Sequence, residues 1–303
     1  MAAAPRVWVG PADHDDLSAA IRAGGGEPVG LRYAEAIVWA GDAPEELRAA
    51  LSPAIRWVQL CAAGVEQWLD AGVIDGRRAW TSAVGVAAGP IAEHAVCLML
   101  AAARDLPHRI TATSWGPGGG RQLAGTTAGI VGCGHIGTAL IGLLAPFGVR
   151  TIALTRTGRT ITGATFSLGP LGLARLLTAS DWVIVTAPAT PATIRLIGGP
   201  ELAMMRPGAW LVNVSRGQIV DTSALLTALA EGWIGGAALD VTEPEPLPAG
   251  HPLWHEPNVI ITPHVATTPS MHGAALEHRI RDNVARLRAG RDLIGLIDLD
   301  RGY

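Results

Sequence analysis

Three glycines at fixed spacing are the clearest candidates for a chemical function in this sequence. Gly132, Gly134 and Gly137 lie in the stretch GIVGCGHIGTAL, directly after an apolar run at 127–131 that predicts a strand. In such a G-x-G-x-x-G turn the first glycine permits a tight turn, the second admits a pyrophosphate, and the third lets helix and strand pack closely. A plain glycine-rich turn could share this spacing, but its place between a strand and a helix favours a dinucleotide site.

The end of the next predicted strand bears on which dinucleotide is bound. An apolar run at 149–155 ends 18 residues after Gly137, where NAD-binding proteins usually carry Asp or Glu for the ribose 2′-hydroxyl. Here the residues are Thr155 and Arg156, followed by Arg159, and two guanidinium groups can pair with a 2′-phosphate. The pattern predicts NADP(H), with NAD(H) as the alternative, although exposed loop arginines would look the same.

The elements that must position these residues predict two α/β domains. Six apolar runs lie at 127–131, 149–155, 182–187, 209–214, 236–241 and 259–262. Segments of helical periodicity separate most of them, which is typical of a parallel sheet buried on both faces. Shorter runs at 7–9, 36–40 and 57–62 precede a long helix at 91–104. A final helix at 274–288 is expected to pack on the first domain. We therefore expect a dinucleotide-binding domain over 94–273 and a substrate domain over 1–93 and 274–303.

Composition excludes several other classes of protein. The chain has 303 residues, 49% of them hydrophobic, and a formal net charge of -3, so neither disorder nor a nucleic-acid partner is expected. All 23 basic residues are arginine, which excludes a P-loop, a pyridoxal-phosphate enzyme and a protein kinase, since each needs a lysine. The most apolar stretch, 126–148, contains His135 and Pro146, which argues against a membrane span.

Cysteine and histidine usage predicts neither disulfides nor a metal site. Cys61, Cys97 and Cys133 are odd in number and lie in apolar runs, so we expect reduced core thiols. The first ten residues lack the features of a signal peptide, and we expect a cytoplasmic protein. The pair His251 and His255 has metal-ligand spacing, but an intervening proline breaks the helix that such ligands would need.

Four longer motifs resemble those of the D-isomer-specific 2-hydroxyacid dehydrogenase family, over nearly the whole chain. They are TAPATP (186–191), MRPGAWLVNVSRG (205–217), ALDVTEPEPLP (238–248) and ITPHVA (261–266). The arginine-bearing strand end and the C-terminal DRGY (300–303) are most similar to the short NADPH-dependent glyoxylate/hydroxypyruvate reductases. The resemblance implies two Rossmann-like domains, one with a doubly wound parallel sheet and a smaller flavodoxin-like one, and a homodimer.

The same resemblance implies three catalytic residues. Arg216 would bind the substrate carboxylate or carbonyl oxygen, His264 would protonate that oxygen as hydride arrives, and Glu245 would orient the histidine ring. Glu243 is a competing candidate for the orienting acid, but the spacing from Asp240 in the motif favours Glu245. Each residue alone has an ordinary structural explanation, whereas three complementary residues just past successive strands favour an active site.

Further contacts follow from the same resemblance. Backbone N–H groups of Ala63, Gly64 and Val65 should bind the substrate carboxylate, although Glu66 stands where the family usually has Asp. We interpret Glu93 and His94 as hinge and helix-packing residues. The remaining expected cofactor contacts are His135, Ile136, Pro188, Thr193, Val214 and Asp240.

These features predict an oxidoreductase that transfers a hydride from NADPH to the C2 carbonyl of a small 2-oxo acid, giving the D-2-hydroxy acid. The alternative is a dinucleotide-sensing interaction protein of the same fold without turnover. That role would need no intact set of Arg216, Glu245 and His264, and would usually bring disordered extensions, which the sequence lacks.

Overall fold

A computed structural model describes residues 3–302, so Tyr303 of the C-terminal motif lies outside the described residues. The described chain forms these strands: β1 (Arg6–Gly10), β2 (Glu27–Pro28), β3 (Ala36–Trp39), β4 (Trp57–Leu60), β5 (Ala79–Thr81), β6 (Thr127–Val131), β7 (Arg150–Leu154), β8 (Phe166–Leu168), β9 (Trp182–Val185), β10 (Trp210–Asn213), β11 (Gly236–Leu239) and β12 (Val259–Ile261). Its α-helices are α1 (Asp15–Ala23), α2 (Pro44–Ala50), α3 (Glu66–Asp70), α4 (Ala88–Ala103), α5 (Leu106–Ile110), α6 (His135–Leu144), α7 (Leu173–Ala179), α8 (Gly199–Met204), α9 (Thr222–Ala230) and α10 (Pro269–Arg288).

The chain divides into two compact units, which are 1–87 with 269–303, and 88–268. Both divisions fall a few residues before the predicted boundaries at 93/94 and 273/274. The reason is that α4 and α10 begin at Ala88 and Pro269, and each helix stays whole within one unit. It stays a prediction that the unit formed by residues 88–268 binds the dinucleotide and that the other unit binds the substrate.

The unit formed by residues 88–268 is built on a seven-stranded sheet in the order β12-β11-β10-β9-β6-β7-β8. Every neighbouring pair is parallel. The order reverses between β6 and β9, so the sheet is doubly wound, as predicted. Sheets of this kind bind ligands beyond the carboxyl ends of their strands at this reversal.

Both faces of this sheet are covered, which explains why its strands read as continuous apolar runs. Side chains alternate between the faces because successive residues of a strand point in opposite directions. In β9, Trp182 and Ile184 pack in one cluster with α4 and α6, whereas Val183 and Val185 pack in another with α7, α8 and α9.

The other unit holds a five-stranded parallel sheet in the order β2-β1-β3-β4-β5. This is the flavodoxin-like order, as predicted. Leu276, Ile280 and Val284 of α10 share one buried cluster with Leu17 and Ile21 of α1. The last helix therefore packs on the domain formed by the start of the chain.

Some sequence expectations were wrong in detail. β2, β5 and β8 were not predicted, because each has only two or three residues and gives no clear apolar run. Cys97 is exposed on α4 rather than buried, although all three cysteines are free thiols. Among residues 3–302, no helix is both long and apolar enough to cross a membrane.

A buried polar network joins α10 to the smaller sheet. Asn283 is fully buried, and its amide donates to Gln59 Oε1 at 2.9 Å and to the carbonyl of Ile294 at 2.9 Å. Its Oδ1 accepts from Ile294 N at 2.7 Å, and Gln59 Oε1 also accepts from Thr81 Oγ1 at 2.9 Å. Buried polar groups contribute to stability only while every partner is present.

We therefore predict that Asn283→Leu lowers the free energy of unfolding of this unit by about 2–4 kcal/mol, because it leaves the Ile294 backbone without its partners. Urea denaturation followed by circular dichroism measures this. As a control, His278→Leu at an exposed position of the same helix should change the value by less than about 0.5 kcal/mol. Equal losses in the two variants would mean that the network contributes nothing.

Candidate active site

The three glycines after β6 have distinct structural environments. Gly132 has φ +89, and a Cβ on it would lie 2.4 Å from Cα of Ala187 in the segment after β9. A Cβ on Gly137 would lie 2.8 Å from Cys133 Sγ and 2.9 Å from Ile130 Cγ2. By contrast, a Cβ on Gly134 would meet nothing closer than a backbone oxygen at 4.0 Å. Gly132 and Gly137 thus allow close packing, while Gly134 faces open space.

That open space lies at the N-terminus of α6. Gly134 is the N-cap residue and no side chain caps the helix, while His135 is exposed at its first position and Ile136 is half-buried. Uncapped N–H groups at a helix N-terminus suit an anion. Thr186 Oγ1 donates to the carbonyl of Gly132 at 3.1 Å, which ties the turn to the segment after β9. The arrangement fits the pyrophosphate of a dinucleotide.

The residues after β7 fit the other end of such a cofactor. Thr155 is buried, and among residues 3–302 its hydroxyl has no hydrogen-bond partner. Arg156 and Arg159 are exposed. Burial raises the pKa of the Cys133 thiol, and the positive charge of Arg159 is one of the effects that lower it. The Arg159 guanidinium therefore lies near the glycine turn. Their contact with a 2′-phosphate stays a prediction.

Three other expected cofactor contacts lie in the segments after β9 and β10. The exposed Pro188 accepts a hydrogen bond through its carbonyl from Thr193 Oγ1 at 2.6 Å, so that hydroxyl shapes the loop. Val214 is buried, and its N–H donates to the carbonyl of Val185 at 3.4 Å. The contacts of all three with a cofactor stay predictions.

Arg216 lies three residues beyond β10 in a segment shaped by Asn213. The buried Asn213 side chain donates to the carbonyl of Arg216 at 2.9 Å and accepts from Ser215 N at 3.1 Å. Arg216 itself is half-buried, and its Nη1 donates to the carbonyl of Ser215 at 2.8 Å. The backbone that carries the guanidinium is therefore fixed by an amide inside the sheet.

Gly217 brings the Arg216 segment against the segment after β11. A Cβ at this position would lie 1.9 Å from the carbonyl oxygen of Thr242, so the two backbones are in direct contact. Thr242 N in turn donates to Glu245 Oε2 at 3.4 Å. The segments bearing Arg216 and Glu245 thus stand side by side because residue 217 has no side chain.

Glu245 and His264 meet across the next pair of strands. His264 Nδ1 lies 2.6 Å from Glu245 Oε1, with both side chains partly exposed. The carboxylate in contact with the imidazole is thus that of Glu245, whereas Glu243 accepts from Thr222 Oγ1 through its backbone carbonyl. Because a carboxylate accepts, Nδ1 carries the proton and Nε2 is left for another partner.

Asp240 and His94 lie behind this pair. The Asp240 carboxylate is buried and accepts hydrogen bonds from Thr262, Val265 and Ala266, and His94 of α4 contacts the same group. His94 therefore makes specific polar contacts, which the interpretation as a helix-packing residue did not include. A direct contact of Asp240 with the cofactor stays a prediction.

Residues Ala63, Gly64 and Val65 join β4 to α3 in the smaller unit. Ala63 is exposed, Gly64 is half-buried, and Val65 is buried as the N-cap residue of α3. Their role in binding a carboxylate stays a prediction.

No group of three or more potential metal ligands occurs within residues 3–302. His251 Nδ1 accepts from Leu253 N at 3.3 Å at the start of a short helical turn, which gives this histidine a structural contact.

Comparison with known proteins identifies the family of the chain. The model of the family described as D-isomer specific 2-hydroxyacid dehydrogenase, NAD binding domain, matches residues 96–266. The chain belongs to this family. It is therefore a member of a group of NAD(P)-dependent dehydrogenases, and the matched range contains all of the predicted catalytic residues.

Individual relatives cover the chain to different extents. An uncharacterized protein in the proB 3′ region of Corynebacterium melassecola is 34% identical over 99% of this chain and 98% of its own length. The human glyoxylate reductase/hydroxypyruvate reductase is 38% identical over 68% of this chain and 63% of its own length. A D-isomer specific 2-hydroxyacid dehydrogenase from Xanthobacter autotrophicus Py2, solved with NADPH and MES, has a TM-score of 0.87 and 28% identity over 100% of both chains.

Several residues that shape the site were missed from the sequence. Asn213 interrupts the apolar run of β10, and a polar residue in a buried strand was a signal of a specific contact. Gly217 is one glycine among 38, and nothing local distinguishes it. The contact of His94 with Thr262 spans 168 positions, which no periodicity encodes.

We predict that Gly217→Ala lowers the free energy of unfolding of the larger unit by about 2–4 kcal/mol, because its Cβ would overlap the Thr242 backbone. Chemical denaturation followed by tryptophan fluorescence measures the change. Gly142→Ala is the matched control, since a Cβ in α6 meets nothing within 4 Å, and it should raise stability by about 0.5–1 kcal/mol. A neutral Gly217→Ala would contradict the close approach of the two segments.

Proposed function

We propose that the protein is an NADPH-dependent reductase that converts a small 2-oxo acid, of the glyoxylate and hydroxypyruvate class, into the D-2-hydroxy acid. The observation that carries the proposal is the 2.6 Å contact between His264 Nδ1 and Glu245 Oε1 beside the segment of Arg216. When the ring is the imidazolium, this contact occupies the Nδ1 proton and leaves the Nε2 proton for the substrate. The relative named glyoxylate reductase/hydroxypyruvate reductase supports the substrate class.

Arg216, Glu245 and His264 each have a separate role in this reaction. The Arg216 guanidinium binds the substrate through its carboxylate or carbonyl oxygen and stabilises negative charge as it develops there. His264 acts as the imidazolium, whose Nε2 gives its proton to that oxygen. The ring is left as the neutral Nδ1–H tautomer, and Glu245 holds it in place by accepting from Nδ1. NADPH, when bound, supplies the hydride for the carbonyl carbon.

The preference for NADPH rests on the residues after β7. Two exposed arginines follow the strand, no acid stands at its end, and a buried hydroxyl at Thr155 lacks a partner within residues 3–302. A 2′-phosphate would pair with the guanidinium groups through charge-assisted hydrogen bonds. The related structure solved with NADPH supports this choice.

The reductase proposal predicts NADPH oxidation with glyoxylate and hydroxypyruvate, and less with bulkier 2-oxo acids, followed by the absorbance of the reduced nicotinamide. His264→Gln should lower kcat by at least about 100-fold, because the proton donor is lost. His255→Gln, an exposed histidine of the same unit, should leave kcat within about twofold. Tight NADPH binding without turnover across the substrate panel would contradict the proposal and favour a sensing protein.

The cofactor proposal predicts that Arg156→Ala with Arg159→Ala lowers kcat/KM for NADPH by about 10- to 100-fold, since charge-assisted bonds to the 2′-phosphate are lost. The value for NADH should change by less than about threefold. Arg150→Ala, at the opposite end of β7, is the control and should alter neither value. A wild-type kcat/KM that favours NADH would contradict the preference.

A further inference from the structure

The carboxylate of Asp240 accepts three hydrogen bonds from the segment that carries His264. Its Oδ1 accepts from Thr262 Oγ1 at 2.6 Å and from Val265 N at 2.9 Å, and its Oδ2 accepts from Ala266 N at 3.0 Å. The backbone carbonyl of Asp240 accepts from His264 N at 2.8 Å. Asp240, the residue that follows β11, therefore contacts the chain on both sides of His264.

This segment needs such an anchor because His264 has φ +54. A residue with a side chain seldom adopts this left-handed conformation, so surrounding contacts must hold it. The neighbouring N–H groups of Val265 and Ala266 are held by the Asp240 carboxylate. The conformation that directs the ring to Glu245 thus depends on that carboxylate.

His94 completes the network from α4. Its Nε2 lies 3.0 Å from Thr262 Oγ1 and 3.4 Å from Asp240 Oδ1, and its side chain is only 18% exposed. Burial raises the pKa of Asp240, but hydrogen bonds from His94, Thr262, Val265 and Ala266 outweigh that effect and hold the pKa at about 2. Asp240 is therefore a carboxylate at neutral pH and can only accept.

The number of available protons then decides which atom donates in each hydrogen bond among His94, Thr262 and Asp240. The single hydroxyl proton of Thr262 points to Asp240 Oδ1, since two acceptors 2.6 Å apart need a proton between them. Thr262 Oγ1 can only accept from His94, so His94 Nε2 carries a proton. The chain of donors runs from His94 through Thr262 to Asp240.

We infer that His94 is a positioning residue for His264. By donating to Thr262 and Asp240 it fixes the 262–266 segment, and so keeps the imidazole on Glu245 with Nε2 directed to the substrate. The inference rests on the proposed function, in which His264 is the acid and base. Because His94 contacts Thr262 and Asp240 and acts on His264 through them, its removal should slow the proton transfer more than it weakens substrate binding.

The test compares His94→Leu, which removes the donor, with His94→Gln, whose Nε2 can replace it. In His94→Leu we expect kcat to fall on the order of tenfold or more, with KM within about threefold. Deuterium exchange at the amides of Val265 and Ala266, read on peptides covering 262–266, should speed up on the order of tenfold. His94→Gln should stay close to wild type in both measurements. Thr262→Val, which removes the bridging hydroxyl, should behave like His94→Leu and serves if that variant does not fold.

The matched control is His108→Leu, which removes an exposed His–Asp pair whose atoms lie 2.5 Å apart elsewhere in the same unit. It should change neither kcat nor exchange at 262–266. Unchanged exchange in both His94→Leu and Thr262→Val would overturn the inference, as would equal losses of kcat in His94→Leu and His94→Gln. If the wild-type protein shows no NADPH oxidation with 2-oxo acids, the proposed function fails. The exchange measurement still decides whether His94 holds the 262–266 segment in place.

Discussion

An imidazole and a carboxylate that are 19 positions apart in the chain meet at 2.6 Å because the backbone around each is held by a specific contact. At His264, a left-handed conformation is maintained by the Asp240 carboxylate. Near Glu245, the Thr242 backbone lies against Gly217, where no side chain could fit. Releasing either constraint would separate the groups that the proposed chemistry requires.

The sheet brings these constraints to one place. β10, β11 and β12 are neighbours and parallel, so the segments after them emerge at the same edge. The glycine turn after β6 emerges at that edge too, where Gly132 touches Ala187 across the reversal in strand order. The glycine turn and the polar residues, which are distant in sequence, thus lie at one edge of the sheet because its strands are parallel.

Much of this architecture could be predicted from the sequence because it depends on local pattern. The apolar runs of the larger sheet and the glycine spacing follow from strand alternation and turn geometry. β8 could not be predicted so readily, since Phe166–Leu168 is a short, partly exposed strand at the sheet edge. The start of α10 at Pro269 was also missed, although proline is favoured in the first turn of a helix.

The positioning contacts could not be predicted because they are tertiary. His94 precedes Asp240 by well over a hundred residues, and its helix would pack on the sheet in the same way with an apolar residue there. Gly217 lies against the Thr242 backbone, which only the folded chain brings near. The resemblance to a family supplied Arg216, Glu245 and His264, but not the residues that hold them in place.

The most direct measurement is a crystal structure of the protein with NADP⁺ and oxamate, a non-reducible analogue of a 2-oxo acid. The account predicts that the Arg216 guanidinium and His264 Nε2 both lie within hydrogen-bond distance of the analogue, while Glu245 stays on Nδ1. An analogue bound away from these groups, or a His264 ring turned from it with the Glu245 contact broken, would contradict the account.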